Sequence, residues 1–517
     1  LTLTWVKRWP FRLLLDSDGW SGDPNAAEKK KAIEIWSLYS YNLHKATFHG
    51  LEHLPTRKGK RNFIIGRGSF AGAQRFAGLW TGDNASTWEF LNISVAQVLA
   101  LGFAGVTIAG ADVGGFEPIE GEKWADPELL IRWYCAYSLL PWFRNHYSAK
   151  KDKKLFQEPY EYRELQDTPD WQHVPEKDHN MYYSVLPICR YMVQLRYSLL
   201  QLLYDAMFEN MISGLPIARS MIITDPLDSS LYQANQAYTR SQYLVRHDLL
   251  VAPDLYKQSE HSSRKLYLPA PDGWYPMNLR PGTTLGGILA ERLEPKVSGG
   301  TYVYFDCHIA PNEEQLPYVT PMYIREGAII PQIGVRDSVL DRTRDDKDAP
   351  PNPITINVYP GKNNTYDMYL DDGVSLESAP GKAYLSSLST GPQGLVDAYG
   401  GDPDANSIFR HVKFEQTTTR QFAKDQLRDT RRLTVSTPWA RYTDEQVKKD
   451  VGPEYRIVFW HASRWPAAEM NLDAVTVNAN PEVRQELDKS IRATVVWVPV
   501  DANVSATIEV SYPVSYC

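Results

Sequence analysis

The chain is 517 residues long, 43% hydrophobic and 23% charged, with a formal charge of −7; this is the make-up of an ordinary globular protein of about three domains. No basic field invites nucleic acid, and the unbroken run of about 18 apolar residues that a membrane span needs is absent. Cys135, Cys189, Cys307 and Cys517 lie far apart with no C-x-x-C pair, which excludes a disulfide scaffold and a thiolate zinc site and favours a reducing, intracellular compartment.

The opening stretch LTLTWVKRWPFRLLLDSDGW has no signal-peptide core and no initiator Met, so the chain is expected to begin inside a longer protein. From Ala26 to Gly50 the pattern predicts a helix, and RNFIIGRG then reads as a short buried strand running into a glycine turn. A helix is expected over Ser86–Leu101, opened by S-T-W-E with Ser86 and Glu89 as a capping box. AGVTIAGADVGG reads as a second buried strand with a glycine exit, and Pro127–Leu140 as a helix.

A long helix follows, from about Met181 to Ile212, with Val185, Ile188, Met192, Leu195, Leu199 and Leu202 on its apolar face. GLPIARSMIITDP is the next expected strand. Strands alternating with helices argue for a parallel α/β architecture. Near Asp248 the character changes: DLLVAP, RKLYLPA, GGTYVYFD, PMYIREGAIIP, ITINVYPG and YDMYLDDG are short strands between Gly, Pro, Asn and Asp turns. That alternation persists to RATVVWVPV and SATIEVSYPV and predicts β-sandwich material. The charged, proline-rich RDSVLDRTRDDKDAPPNP marks a boundary, and KKDKK (150–154) reads as a solvated loop.

Several stretches carry possible chemistry. HGLEH (49–53) has the H-x-x-E-H spacing of one class of zinc protease, but that site needs both histidines on one continuous helix. Gly50 inside the motif and LPTRKGK after it predict a helix terminus instead. GRGSFAG (66–72) has its third glycine one place late for a dinucleotide fingerprint, and no helix opens after it. What remains is Arg67 at the carboxyl end of a strand, where barrel enzymes place their working groups.

Asp83 lies in FAGLWTGDNASTWEF, a turn leading into a helix. With Ser86 taken as the cap, Asp83 is free for other work, and Trp80 and Trp88 are expected to strip water from it and raise its pKa, as a general acid needs. Asp112 ends the second strand before Gly114 and Gly115, and His146 follows a helix-like run in WFRNHY. Singly, each has a structural reading as good as the chemical one. Together, Arg67, Asp83, Asp112 and His146 all fall at the ends of α/β elements.

These residues resemble the retaining α-glucosidases and relatives of glycoside hydrolase family 31. RGSFAGAQRFAGLWTGDN is similar to the family's R-S-x-F-x-G…R-x-x-x-W-x-G-D-N, GADVGGF to G-x-D-I-G-G-F, and FRNHY to S-R-N-H. LRYSLLQLLYDAMFENMISGLPIARS, DLLVAP, YIREGAIIP and LDDGVS continue the match in order, from about Trp36 to Ser375. The resemblance implies the later part of a (β/α)8 barrel (1–247) followed by two antiparallel β-sandwich domains, proximal (248–338) and distal (339–517). It implies Asp83 as the acid/base carboxylate, Arg67 and His146 as hydrogen-bond partners of the sugar, Asp112 as support for that pocket, and Trp80 and Phe116 as its lining. No metal or organic cofactor is implied.

The family's nucleophilic carboxylate sits on an earlier barrel strand and is expected outside this chain, in an N-terminal half that would be its partner. LLPWFRNHY, FQEPY, RSMIITD and YIREGAIIPQI look most like the α-1,4-glucan lyases of fungi and red algae. That branch cleaves α-1,4-glucan or maltooligosaccharides from the non-reducing end through a covalent glycosyl-enzyme and eliminates to 1,5-anhydrofructose. A glucose-releasing α-glucosidase, or a non-catalytic piece that binds glucan or the missing half, is the alternative.

Overall fold

A computed structural model of the chain describes residues 14–16, 29–31, 36–118, 125–150, 153–154, 157–233, 237–261, 263–282, 290–309, 319–336, 350–388, 407–423, 426–461, 471–477 and 483–513. The chain folds as the later part of a (β/α)8 barrel followed by antiparallel β-sandwich domains. In the barrel portion, strands Ile65–Gly66, Gly78–Trp80 and Ala109–Gly110 run parallel and side by side. The last of these resumes after Ala111 as Asp112–Val113, which pairs in parallel with Arg144–Asn145. Helices Trp88–Phe103 and Pro127–Tyr137 connect them. The second is buried along its length, with Trp133 and Tyr137 wholly enclosed, because strands cover one side and further helices and the sandwich cover the others.

Several local expectations change. In KKDKK, read as a solvated loop, Lys150 and Lys153–Lys154 belong to a short antiparallel ladder, Ala149–Lys150 with Lys153–Lys154. The first long helix begins at Trp36 and ends at Glu52, while Lys29–Lys31 pairs as a strand with Leu14–Asp16; residues 26–28 and 32–35 lie outside the described residues. The helix expected from Met181 to Ile212 is two, His179–Ser198 and Leu200–Ser213, broken at Leu199. Arg196 pins the end of the first by donating to the carbonyls of Ser138 (3.0 Å), Leu140 (2.7 Å) and Pro141 (3.2 Å). Gly214, in the left-handed region, ends the second. The apolar face read from the sequence is buried as a whole.

The expected strand GLPIARSMIITDP is only Ala218–Arg219, followed by a short helix, Met221–Thr224, capped by Ser220. It pairs antiparallel with Tyr243–Val245 and so belongs to a six-stranded sandwich sheet, not to the parallel array. That sheet is buried on both faces, as its period-2 side chains show. Tyr243, Val245, Leu249, Val251, Met322 and Ile324 join the barrel helices in the main core. Leu244, Leu250 and Tyr323 face the other way, onto Leu266, Leu268 and Trp274.

Two five-stranded sheets form the distal part, antiparallel apart from the pair Ile354–Val358 and Glu454–Trp460. Arg431, fully buried, pins one sheet to the other by donating to the carbonyls of Trp460 (2.8 Å) and Val358 (2.9 Å). Most of the expected boundary segment, residues 337–349, lies outside the described residues. One distal loop holds the barrel directly: the Arg61 amide donates to Val374 O (2.8 Å), its Nε to Ser375 O (3.0 Å), and its guanidinium pairs with Asp371 and Tyr204. That clamp fixes the chain four residues before the strand that delivers Arg67.

Candidate active site

Every candidate residue sits at or just beyond the carboxyl end of a parallel strand. Arg67 follows Ile65–Gly66, Trp80 ends Gly78–Trp80 with Asp83 on the next turn, Asp112 and Phe116 follow the third strand, and His146 follows Arg144–Asn145. The turns are knitted to one another by main chain. Asn84 O accepts from the amides of Phe116 (2.7 Å) and Glu117 (3.0 Å), the Ser86 amide donates to Glu117 O (2.9 Å), and the Ser148 amide donates to Phe116 O (2.9 Å). Three successive loops are thereby fixed around the Phe116 peptide.

Ser86 does not cap the helix. Its hydroxyl donates to Gly114 O (2.7 Å), and Thr87 takes the cap, accepting from the Phe90 amide (3.4 Å). Gly115 makes the close approach of the two loops possible. With φ at +88° it is in the left-handed region, and a Cβ there would stand 2.4 Å from Ser86 Cα. Gly82, at φ +100°, plays the same part under Arg67, whose Nε lies 3.0 Å from where a Cβ would be.

At the rim, Arg67 Nη1 donates to Asp83 Oδ2 at 3.0 Å. The Asp83 side chain keeps 36% of its exposure, so the expected stripping of its water by tryptophans is not seen. Trp88 packs into the hydrophobic core, and Trp80 turns toward Arg144. Among the described residues, the second Asp83 oxygen, Oδ1, has no hydrogen-bond partner.

On the floor, Asp112 is completely buried and paired with Arg144 (Nη2 to Oδ1, 2.6 Å). The Arg144 guanidinium is held between the rings of Trp80 (5.6 Å) and Trp142 (5.1 Å). Burial pushes the Asp112 carboxyl above its ordinary range; Arg144 and then His146 pull it back, while the nearby charge of Asp83 adds to the rise. Asp112 Oδ2, Trp80 Nε1, Asn84 Oδ1 and Arg144 Nε are buried with no partner among the described residues, an unusual concentration of unmet polar groups. Phe116 lies over His146, ring centroids 5.2 Å apart and tilted by 30°.

The structure therefore brings Arg67, Trp80, Asp83, Asp112, Phe116 and His146 into one constellation. Arg144 was not anticipated, nor was Asn84. The signal for Arg144 was its place in FRNHY, but its pairing with Asp112 is lateral, across two strands, and spacing along the chain does not reveal it. Among the described residues no group of three His, Cys, Asp or Glu side chains has the arrangement of a metal site. In HGLEH, His49 pairs with Glu52 (2.9 Å) on the exposed last turn of a helix that ends at Glu52. Cys135, Cys189 and Cys307 are buried free thiols, and burial pushes that of Cys135 up to about 11.

Residues 15–206 match the glycosyl hydrolases family 31 TIM-barrel domain, and residues 214–330 the glycosyl hydrolase family 31 C-terminal domain. The chain carries family 31 domains. Its relatives include the "Probable glucan 1,3-alpha-glucosidase" of Arabidopsis thaliana, 30% identical over 345 residues (66% of this chain, 31% of that protein). The human "Neutral alpha-glucosidase AB" is 29% identical over 349 residues (66% and 30%). The chain thus spans about a third of the length of such relatives.

Solved structures of the same fold include the Gracilariopsis lemaneiformis α-1,4-glucan lyase (TM-score 0.65, 21% identity, 93% of this chain and 42% of that one). The Flavobacterium johnsoniae GH31 dextranase complexed with glucose is another (TM-score 0.63, 19% identity, 96% and 51%). At such identities the likeness is one of fold. The expected closeness to the lyases is not supported at the level of sequence, where the relatives matched are named as α-glucosidases.

Proposed function

We propose that the constellation is the acid/base side of a retaining α-glucosidase that removes glucose from the ends of α-glucans. The observation that carries it is Asp83: a carboxylate held by one oxygen on Arg67, the other free, at the mouth of a site floored by Asp112–Arg144. Retaining cleavage needs a proton donor to the leaving oxygen and a second carboxylate about 5–5.5 Å away. Asp112 is unsuited to the second role, being enclosed and neutralised by Arg144. The nucleophile is therefore a carboxylate other than Asp112.

In the first step Asp83 gives its proton to the glycosidic oxygen as the C1–O bond breaks and the nucleophile's oxygen bonds C1. In the second, ionised Asp83 takes a proton from water as that water's oxygen displaces the nucleophile. Arg67 orients the carboxylate through both steps. The buried Asp112–Arg144 pair supports the floor of the sugar pocket, with Phe116 and His146 at its side.

Hydrolysis is preferred to elimination because the relatives matched over two thirds of the chain carry α-glucosidase names. Moreover, two of the stretches that look lyase-like are occupied elsewhere. Arg219 of RSMI is buried against Glu209 (2.6 Å), and Arg325 of YIREGA is paired with Asp225 (2.7 Å) and Asp272 (2.8 Å), where they brace the sandwich. The test is mass spectrometry of the products from maltotriose, using purified protein with any co-purifying chain retained. Glucose is expected. A product one water lighter would return the chain to the lyases, and no product would overturn both readings.

A further inference from the structure

Gln157 is fully buried beside the site although it lies on no regular element. Its amide is engaged at both ends. Nε2 donates to Gly115 O, and Oε1 accepts from Asn145 Nδ2 (3.4 Å). Asn145 in turn donates to Val113 O (3.2 Å) and accepts from Tyr134 OH (2.7 Å). The amide carbon stands 2.7 Å from where a Cβ on Gly114 would be, so the side chain lies flat on the glycine turn.

One amide therefore ties the turn that presents Phe116 to the strand that presents His146. A carboxamide fits both contacts, since Gly115 O requires a donor and the Asn145 amide an acceptor, whereas an ionised carboxylate or a thioether does not. The neighbouring Glu158 holds the segment in place by accepting from Tyr147 OH (2.5 Å), next to His146.

We infer that Gln157 is a positioning residue for sugar binding: it sets the spacing and tilt of Phe116 against His146, and so the width of the pocket. The inference rests on the reading of that pocket as a glucose site. Neither ring is bonded to Gln157, so its effect reaches the ligand only through the two loops.

The experiment is calorimetric titration of the full chain with glucose, for wild type, Gln157→Glu and the apolar Gln157→Met, beside kcat on an activated aryl α-glucoside at saturation. Misplacing the two rings is expected to raise Kd by about tenfold. The expected result is that rise in both variants with binding stoichiometry unchanged and kcat held within about threefold. A purely structural role would instead lower the number of binding sites and leave the affinity of the remainder intact.

Where Gln157→Glu fails to fold, Gln157→Met gives the answer. Failure of both would overturn the inference by making Gln157 a general core residue. Wild type that binds glucose while both variants bind it equally well overturns this inference alone. Wild type that neither binds glucose nor cleaves the glycoside overturns the pocket reading as well.

Discussion

Asp205 offers a test of how the barrel is joined to the distal domain. It lies fully buried on helix Leu200–Ser213. Its Oδ1 accepts from Gln201 Nε2 (2.9 Å) and the Tyr369 amide (2.8 Å), and its Oδ2 from Tyr366 OH (2.6 Å). Burial pushes the carboxyl from 3.8 up to about 7, although Arg246 and these three donors favour the charged form. The raised value means that the folded protein prefers the protonated acid. The corresponding stability is fully present below about pH 4 and is lost as pH rises through 7. At about 1.4 kcal/mol per pH unit the whole difference is at most about 4 kcal/mol.

Asp205→Asn keeps a carbonyl for Gln201 and Tyr369, and its amide can donate to the Tyr366 oxygen after the hydroxyl turns. It has no charge to bury at any pH. The assay is the thermal midpoint of both proteins from pH 4 to 8, since a multidomain chain does not license a single unfolding free energy. The wild-type midpoint should fall across that range, with the Asn variant flatter and the more stable of the two at pH 8. Parallel curves, or an Asn variant that melts lower at pH 8, would refute the reasoning.

Asp83→Asn should reduce cleavage of poor leaving groups by about 10²–10⁴-fold and spare activated aryl glycosides, which need little protonation; equal loss on both, measured as kcat/KM, would remove Asp83 from the acid role. Arg67→Ala removes a pair whose partners are 50% and 36% exposed, so the melting midpoint should hardly move, such pairs being worth about 0–1 kcal/mol, while kcat/KM should fall markedly. Gly115→Ala places its Cβ against Ser86 backbone at 2.4 Å, and no rotamer relieves that. Glucose affinity and melting midpoint should therefore both drop, whereas Gly214→Ala, whose Cβ meets nothing within 4 Å, should cost only the strain of its positive φ, about 1–2 kcal/mol.

What the sequence revealed and what it hid divide along a physical line. The strand ends were legible because a short apolar run leading into glycines has few alternatives, and Asp83 and Asp112 lie at or just beyond such ends, as expected. Register across strands was not legible, so Arg144, the counter-ion of Asp112 from 32 residues away, went unread. The capping hydroxyl was misplaced by one residue because Ser86 and Thr87 are equally good caps in isolation. Only the tertiary demand of Gly114 O for a donor separates them. The strand Ala218–Arg219 looked like its predecessors, yet its partner came from the sandwich.

The most instructive difference concerns the tryptophans. Trp80 and Trp88 flank Asp83 along the chain, but one ends a strand and the other opens a helix, so their rings diverge toward Arg144 and the core. Adjacency in sequence is thus a poor guide to what desolvates a carboxylate. In this site the buried, desolvated acid is Asp112 and the hydrated one is Asp83. A sugar bound at the site would cover the carboxyl that the protein leaves exposed. That makes the acid step sensitive to how fully the substrate fills the pocket, and it predicts that truncated glycosides lose kcat as well as affinity.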